Sequence, residues 1–513
     1  MPALADYLSS LYERGVRLWI DGSQLRYHAR KGILSAQELA QLRVMREEIV
    51  CELSQRLPGH VEPTEPGAGA SPGPAPLSLQ PASVQQRWLS SLMQQRPDWP
   101  RAQAFAFQLT GALDLRILEL SIQAVCRRHD LLSAQIVDTG RCFELEACAP
   151  QAYRFEVVSA VDDSCAGEER NGHRHISELI AQCVEPTGGL LYTRLLQVSE
   201  QQHYLVLVVH RLAADCLAIA QIFRELWILY SEALAARSSP ALAESTQYHN
   251  YALRQQSTEG EWQRKHGPFW QERLLDAPGL QWPDGASTLS DSLAEVAFLQ
   301  GSFGKSLSLG LRELARQMQS LPSLVVLTLY VFVVSRWCGQ EDFILPFNVA
   351  GRHAAHEGVV GPFSHILYLR ITLKADEPFH DLLRKVSNVF YKAVFHQDCG
   401  RMALQYPHLL RGTLCQWLSW HPTELSGQEM YEVPAQLGIV VKSLRFQTAR
   451  DLANVPPGVT DLDVSFFESA GDIGMLLIFS RKRFAASTLE RFMRELRISA
   501  DQIVSDSRRR PSG

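Results

Sequence analysis

The sequence predicts an α/β (α+β) protein, two lobes of similar size behind a small α/β module. Three observations carry this. Strand-like and helix-like apolar patterns alternate across residues 81–506. A Pro/Gly/Ser-rich stretch at residues 58–80 interrupts the chain. Residues 1–57 hold a short pattern of their own, helix, hairpin and helix. At 513 residues, 46% of them hydrophobic, the chain has material for more than one core.

In the small module, Leu4, Leu8 and Leu11 repeat at helical spacing and Gly15 ends the run. Residues 16–20 read as a strand, Asp21-Gly22 as a turn and residues 25–29 as the return strand. Ser35 with Glu38 has capping-box spacing and starts a helix running to about residue 53. Arg14, Arg17, Arg26, Arg30 and Lys31 make the hairpin basic, with Trp19 and His28 among them. Such a hairpin fits an acidic peptide added as a further strand, and equally a solvated face that keeps the module soluble. In the linker, Pro58, Pro63, Pro66, Pro72, Pro74 and Pro76 favour a semi-extended chain.

The first lobe is expected at 81–247 and the second at 248–506, with a frayed tail or severed linker at 507–513. In the first, residues 104–110 read as a strand, 113–127 as a helix, 189–195 and 204–209 as strands, and 217–230 as a helix. In the second, 307–318 and 324–337 read as helices, 343–348 and 366–373 as strands, 376–395 as a long helix, 440–446 and 475–479 as strands, and 487–501 as a helix. Periodicity alone does not separate a pseudo-dimer from two unrelated α/β domains.

One stretch concentrates polar chemistry. The apolar run 204–209 delivers His210 and Arg211, then Asp215 and Cys216 precede the helical pattern. The remaining composition is exclusionary. Fifty basic and 55 acidic residues give a net charge of -5, which does not suit a nucleic-acid binder. Ten cysteines without a CxxC pair read as reduced cytosolic residues rather than disulfides or a zinc site. His353 and His356 have HxxH spacing beside Glu357, but without a firm helix the pair reads as a loop surface, so no metal is expected. No run of about 18 apolar residues suggests a membrane span, and the N-terminus lacks a basic segment followed by an apolar one, so a cytoplasmic protein is expected.

Ordered motifs add a resemblance. Gln85, Arg87 and Trp88, then Arg128-His129-Asp130-Leu131-Leu132, then His210 through Cys216, then Phe269-Trp270, then Gly351-Arg352 with residues 360–370, then His396-Gln397-Asp398 resemble, in order, the motifs of nonribosomal peptide synthetase condensation domains. Residues 1–56 are similar to the small N-terminal docking domains of synthetase and hybrid polyketide–peptide subunits. The resemblance implies two chloramphenicol-acetyltransferase-like lobes in a V-shaped pseudo-dimer, with a tunnel between them. It implies a donor carrier protein at one mouth and an acceptor carrier protein at the other. Their phosphopantetheine arms bring the reactants, so this chain holds no cofactor. It further implies capture of the C-terminal tail of an upstream subunit by the hairpin, and an adenylation domain downstream.

The departures matter as much as the matches. The family's His-His-x-x-x-Asp-Gly motif stands here as His-Arg-x-x-x-Asp-Cys. Arg211 occupies the position of the second histidine; a guanidinium has no acceptor and cannot be a general base, although it can donate to a developing oxyanion. His210 is a candidate catalytic group or a structural histidine, since a one-residue shift on a strand turns a side chain to the other face. The resemblance implies that Asp215 braces the site, with Arg352 as its partner. Cys216 replaces glycine, and Ser133 replaces the arginine that usually ends the second motif. Ser364 and His365 are further tunnel candidates. Three readings follow: an amide-forming acyl transferase, a silent platform that positions carriers or recruits a tailoring enzyme, and a heterocyclisation variant, whose Asp-x-x-x-x-Asp signature retains only Asp215.

Overall fold

The computed structural model describes residues 17–21, 24–28, 79–80, 82–95, 101–138, 143–147, 154–159, 190–235, 242, 246–283, 296–352, 356–374, 376–397, 409, 413–418, 437–443, 460–469, 471–481 and 483–509. The expected helices at 4–15 and 35–53, Arg30, Lys31, His353, Asp398 and most of the linker lie outside these residues. So do the side chains of Arg17, Trp19, Arg26 and His28. The chain falls into two compact units, Met1–Ala75 with Arg352–Glu357, and Pro76–Gly351 with Gly358–Gly513.

In the first unit, β1 (Arg17–Asp21) pairs antiparallel with β2 (Gln24–His28), Trp19 opposite Arg26. This is the hairpin that the Asp21-Gly22 turn signal predicts.

The second unit opens with β3 (Leu79–Gln80), α1 (Val84–Gln95), β4 (Ala102–Thr110) and α2 (Leu115–Arg128). It continues with β5 (Ala134–Asp138), β6 (Phe143–Ala147), β7 (Arg154–Ser159), β8 (Leu191–Gln197), β9 (Gln202–His210) and α3 (Cys216–Leu234). After α4 (Tyr248–Leu274) come β10 (Val296–Ser302), α5 (Lys305–Gln317), α6 (Pro322–Cys338), β11 (Asp342–Val349), β12 (His365–Thr372) and α7 (Phe379–Phe395). The chain ends with β13 (Thr413–Leu418), β14 (Val440–Ser443), β15 (Leu462–Ser469), β16 (Asp472–Ser480) and α8 (Ala486–Arg509).

Two large sheets organise these elements. The first has the order β14-β4-β9-β8-β7 and the second β10-β16-β15-β13-β11-β12. Strand β9 is central to the first and apolar on both faces. Leu205, Leu207 and Val209 enter the core under α2 and α3, while Tyr204, Val206 and Val208 pack on the opposite face. That double burial is why the segment reads as a continuous apolar run and not as an alternation. In the second lobe α6 is buried nearly all round. Pro322 begins it, and Gly339, at φ 64, ends it in the left-handed conformation that glycine adopts without cost.

Two corrections concern elements. The strand expected at 440–446 was grouped with the second lobe, but β14 pairs antiparallel with β4, Val441 opposite Leu109, and so completes the first lobe's sheet. The helix expected from 376 begins at Phe379, because Pro378 caps it and prolines disfavour a helical residue before them. Helix α4 and strands β10 and β15 were not read from the sequence. Among the described residues no single helix is long and apolar enough to cross a membrane.

Candidate active site

The site starts where β9 ends. His210 is buried, its Nδ1 accepting the Leu212 N–H at 3.1 Å and its carbonyl accepting the Ala213 N–H at 2.9 Å. Burial, then the charges of Arg101 and Arg211, push its imidazole down to about 3, so it is neutral at pH 7 and a weak proton acceptor. The following turn is pinned at each step. Arg211 N–H donates to Arg101 O at 2.9 Å, Gln86 Nε2 donates to Leu212 O at 2.8 Å, and Gln103 Nε2 donates to Ala214 O at 2.8 Å. The Arg211 side chain is half-buried; burial brings its guanidinium down to about 10, so it stays a cation at pH 7.

Asp215 joins the lobes. Its Oδ1 accepts Ala218 N–H at 2.9 Å, capping α3, a role for which aspartate is well suited. Its Oδ2 accepts Phe363 N–H at 3.0 Å, Ser364 N–H at 3.1 Å and the Ser364 hydroxyl at 3.2 Å. One carboxylate therefore ties the first lobe's helix to the segment that enters β12. The same segment is clasped by Tyr248, whose hydroxyl donates to Pro362 O at 3.0 Å and contacts Ser83 Oγ at 2.8 Å. A Cβ at Gly361 would lie 1.9 Å from the Tyr248 ring, so the close approach requires glycine.

Cys216 begins α3. Its side chain is reached by solvent, yet burial raises its thiol to about 11. The thiol is not activated as a nucleophile.

On the second lobe's side, Leu462, Val464 and Phe466 enter the helix-covered core. Asp463 and Ser465 therefore occupy the opposite face of β15. Gln416 Nε2 donates to Ser465 Oγ at 2.7 Å and Asn348 Nδ2 donates to Gln416 Oε1 at 3.0 Å, a polar row across β15, β13 and β11. Thr460 Oγ1 donates to Asp463 Oδ1 at 2.6 Å. Burial raises the Asp463 carboxyl to about 7, against the opposing charge of Arg211. The charges of Arg211 and Asp463 thus act on one another across the lobes.

The other expected residues are distributed as follows. Ser133 Oγ donates to Cys126 O at 2.6 Å and closes the turn after α2. Ser364 is brought onto Asp215. His365 is buried, with Nδ1 on Phe363 O at 3.1 Å. In the first unit, Arg352 Nη1 donates to His356 O at 3.3 Å. The Arg128-His129-Asp130 motif braces helices: His129 Nε2 lies 2.8 Å from Glu225 Oε2, and Asp130 accepts the Tyr248 and His249 N–H groups. Trp270 Nε1 donates to His396 O at 2.7 Å, and Phe269 stacks on the His396 ring at 3.8 Å, joining two distant motifs. Sequence reasoning missed Gln86, Gln103, Tyr248, Thr460 and Asp463. For Asp463 a signal existed, the apolar alternation of Leu462, Val464 and Phe466.

The condensation-domain model matches residues 78–511, and the TubC N-terminal docking domain model matches residues 4–55. The chain belongs to the condensation-domain family. It is 29% identical to a subunit of linear gramicidin synthase of Brevibacillus parabrevis over 326 residues, 62% of this chain and 4% of that protein. It is 28% identical to surfactin synthase subunit 1 of Bacillus subtilis over 456 residues, 81% of this chain and 11% of that protein. The chain thus spans a small part of these synthases. Among solved structures, the X-domain from teicoplanin biosynthesis aligns with a TM-score of 0.71 at 19% identity, covering 86% of this chain and 98% of that one. The EpoB cyclization-docking bidomain from Sorangium cellulosum aligns with a TM-score of 0.69 at 18% identity, covering 98% of both. These two likenesses show the fold, two chloramphenicol-acetyltransferase-like lobes with a docking domain.

Proposed function

We propose that the chain receives a carrier-bound acyl or peptidyl thioester from an upstream synthetase subunit and transfers it to the amine of a carrier-bound amino acid, forming an amide. The observation that carries this reading is the junction at Asp215. It anchors the start of α3 and the entry to β12 together, which supports a reading in which Arg211 of the first lobe works beside the polar face of the second. A thioester is already activated, and holding two tethered reactants in register supplies much of the rate. Arg211, a fixed cation, suits the developing oxyanion. His210, neutral and turned into the core, acts as a structural group that shapes the turn. Asp215 is the brace, through its hydrogen bonds to Ala218, Phe363 and Ser364. Cys216, Ser364 and His365 shape the channel beside them, and Ser133 supports it from the end of α2.

The hairpin of the first unit is the proposed receiver of the upstream subunit's C-terminal tail, through Arg17, Trp19, Arg26, His28, Arg30 and Lys31. The phosphopantetheine arms come from donor and acceptor carrier proteins, an adenylation domain works downstream, and the setting is the cytoplasm.

A second reading is favoured by one observation: neither residue of the His210-Arg211 pair offers a proton acceptor toward the other lobe. A silent platform for carriers or a tailoring enzyme would need none. Loading both carrier proteins and following products by intact-protein mass spectrometry separates the two. Amide on the acceptor carrier supports transfer. Stable carrier or oxygenase binding without amide overturns it in favour of the platform.

A further inference from the structure

We propose that Asp463 is the acceptor-amine site of this centre, its carboxylate holding the α-ammonium of the incoming amino acid and taking one proton from it. The inference rests on the amide-forming reading above and names the group that handles the amine.

Four observations support it. Asp463 stands on the β15 face that turns away from the helices, beside Ser465, which is joined through Gln416 to Asn348. A polar row across three strands is costly in an apolar interior and is suited to a polar guest. The Thr460 hydroxyl fixes the carboxylate at 2.6 Å, so little reorganisation is needed when an ammonium arrives. Arg211 lies within electrostatic reach across the lobes. An anion on one side and a cation on the other match the polarity of the reacting pair, nitrogen toward Asp463 and carbonyl oxygen toward Arg211. Lastly, the imidazole of His210 is buried among core groups with Nδ1 engaged by Leu212.

The charged and titratable surroundings are consistent with this use. The charge of Arg211, in the turn after β9, acts on Asp463 from the first lobe, and that of Asp461, 3.8 Å from Arg483, acts on it from two residues before. Tyr330 acts through the sheet from α6; burial drives its hydroxyl well up, so it remains neutral. Burial brings the Asp463 carboxyl to about 7, near the roughly 7.7–8.0 of an α-amine, where proton exchange is nearly balanced. The ammonium gives a proton to the carboxylate. The nitrogen lone pair then attacks the thioester carbonyl carbon, and the π pair moves to oxygen beside Arg211. The carbonyl re-forms, the C–S bond breaks, and its electrons leave on sulfur. The excess proton on nitrogen passes to that thiolate, giving the free thiol of the donor arm. Protonated Asp463 then releases its proton to solvent, so the cycle yields amide, thiol and one proton.

The test uses the full chain with Asp463→Asn and Asp463→Glu, each checked by thermal melting. Glycyl-pantetheine in a stable amide linkage, and its N-acetyl counterpart, are titrated by ligand-observed NMR. Wild type should favour the free amine by about tenfold, the value of one hydrogen-bonded charge contact. The Asn variant should lose that preference and the Glu variant should keep part of it. Equal binding of both probes by wild type, or an unchanged preference in a folded Asn variant, overturns the inference. In the loaded-carrier assay the wild-type rate should fall below pH about 7, and Asp463→Asn should be slowed about 100-fold and lose that limb. An amine preference without any amide product refutes the transferase reading and leaves the amine site standing. Product formed by Asp463→Asn at the wild-type rate and pH profile refutes the amine site and leaves the transferase reading standing.

Discussion

The two sides of the centre are built on opposite principles. On the first lobe, residues 210–218 are closed upon themselves: backbone groups of the turn meet Gln86, Gln103, Arg101 and His210, and Asp215 accepts four hydrogen bonds. On the second lobe, β11, β13 and β15 present a short polar row on a sheet whose other face is apolar. The first side fixes position and depends on every member. The second displays chemistry on a frame that the helices already stabilise. Substitutions of the groups that hold the turn, Asp215 first, should therefore damage stability, and substitutions of the groups that would meet the reactants, Arg211 and Asp463, should damage turnover.

The largest expected effect is on the rigid side. Asp215→Ala strands the Ala218, Phe363 and Ser364 amides and removes the α3 cap, and should cost about 3–5 kcal/mol in urea unfolding. A loss below about 1 kcal/mol would break the contrast. Arg211→Ala comes next, with amide formation slowed about 100-fold, about 2.7 kcal/mol of transition-state stabilisation, and the melting temperature little changed. Single-turnover transfer between loaded carriers measures it.

His210 gives a smaller, pH-dependent effect. Its folded pKa is about 3, below the unfolded value near 6.5. Below pH 6.5 the unfolded chain binds the extra proton and the folded chain does not. Stability is therefore complete above pH 6.5 and falls on acidification by about 1.4 kcal/mol per pH unit toward pH 3. Denaturant titrations from pH 7 to 5 should show that slope, and His210→Asn, which retains an acceptor for the Leu212 N–H, should flatten it. Ser465→Ala is the smallest, about 1 kcal/mol or less, since it removes one acceptor from Gln416 within a supported sheet. A larger loss would mean that the polar row itself holds the second lobe together.

Much of the fold is legible in the sequence. The runs at 204–209 and 324–337 are apolar enough to name a central strand and a buried helix, and Pro322 and Gly339 mark the ends of the latter. Helix α4 was missed because most of its surface is polar and it carries Pro268, so its apolar contacts, Tyr248, Ala252, Trp270 and Leu274, are too widely spaced to form a clear stripe. Strand β14 was found but assigned to the wrong lobe, because local pattern reports a strand's character and not its neighbour.

The candidate site divides along the same line. By sequence alone, the His-Arg-x-x-x-Asp-Cys motif marked where the centre lies and showed that residue 211 cannot be a base, because those conclusions follow from residue type. Tertiary structure decided that His210 turns inward, that Asp215 spans the lobes by gripping Phe363 and Ser364, and that the charge of Arg211 acts on Asp463. Those partners are separated by about 150 or more positions in the chain, and their proximity depends on how the two sheets are brought together, which no local periodicity encodes.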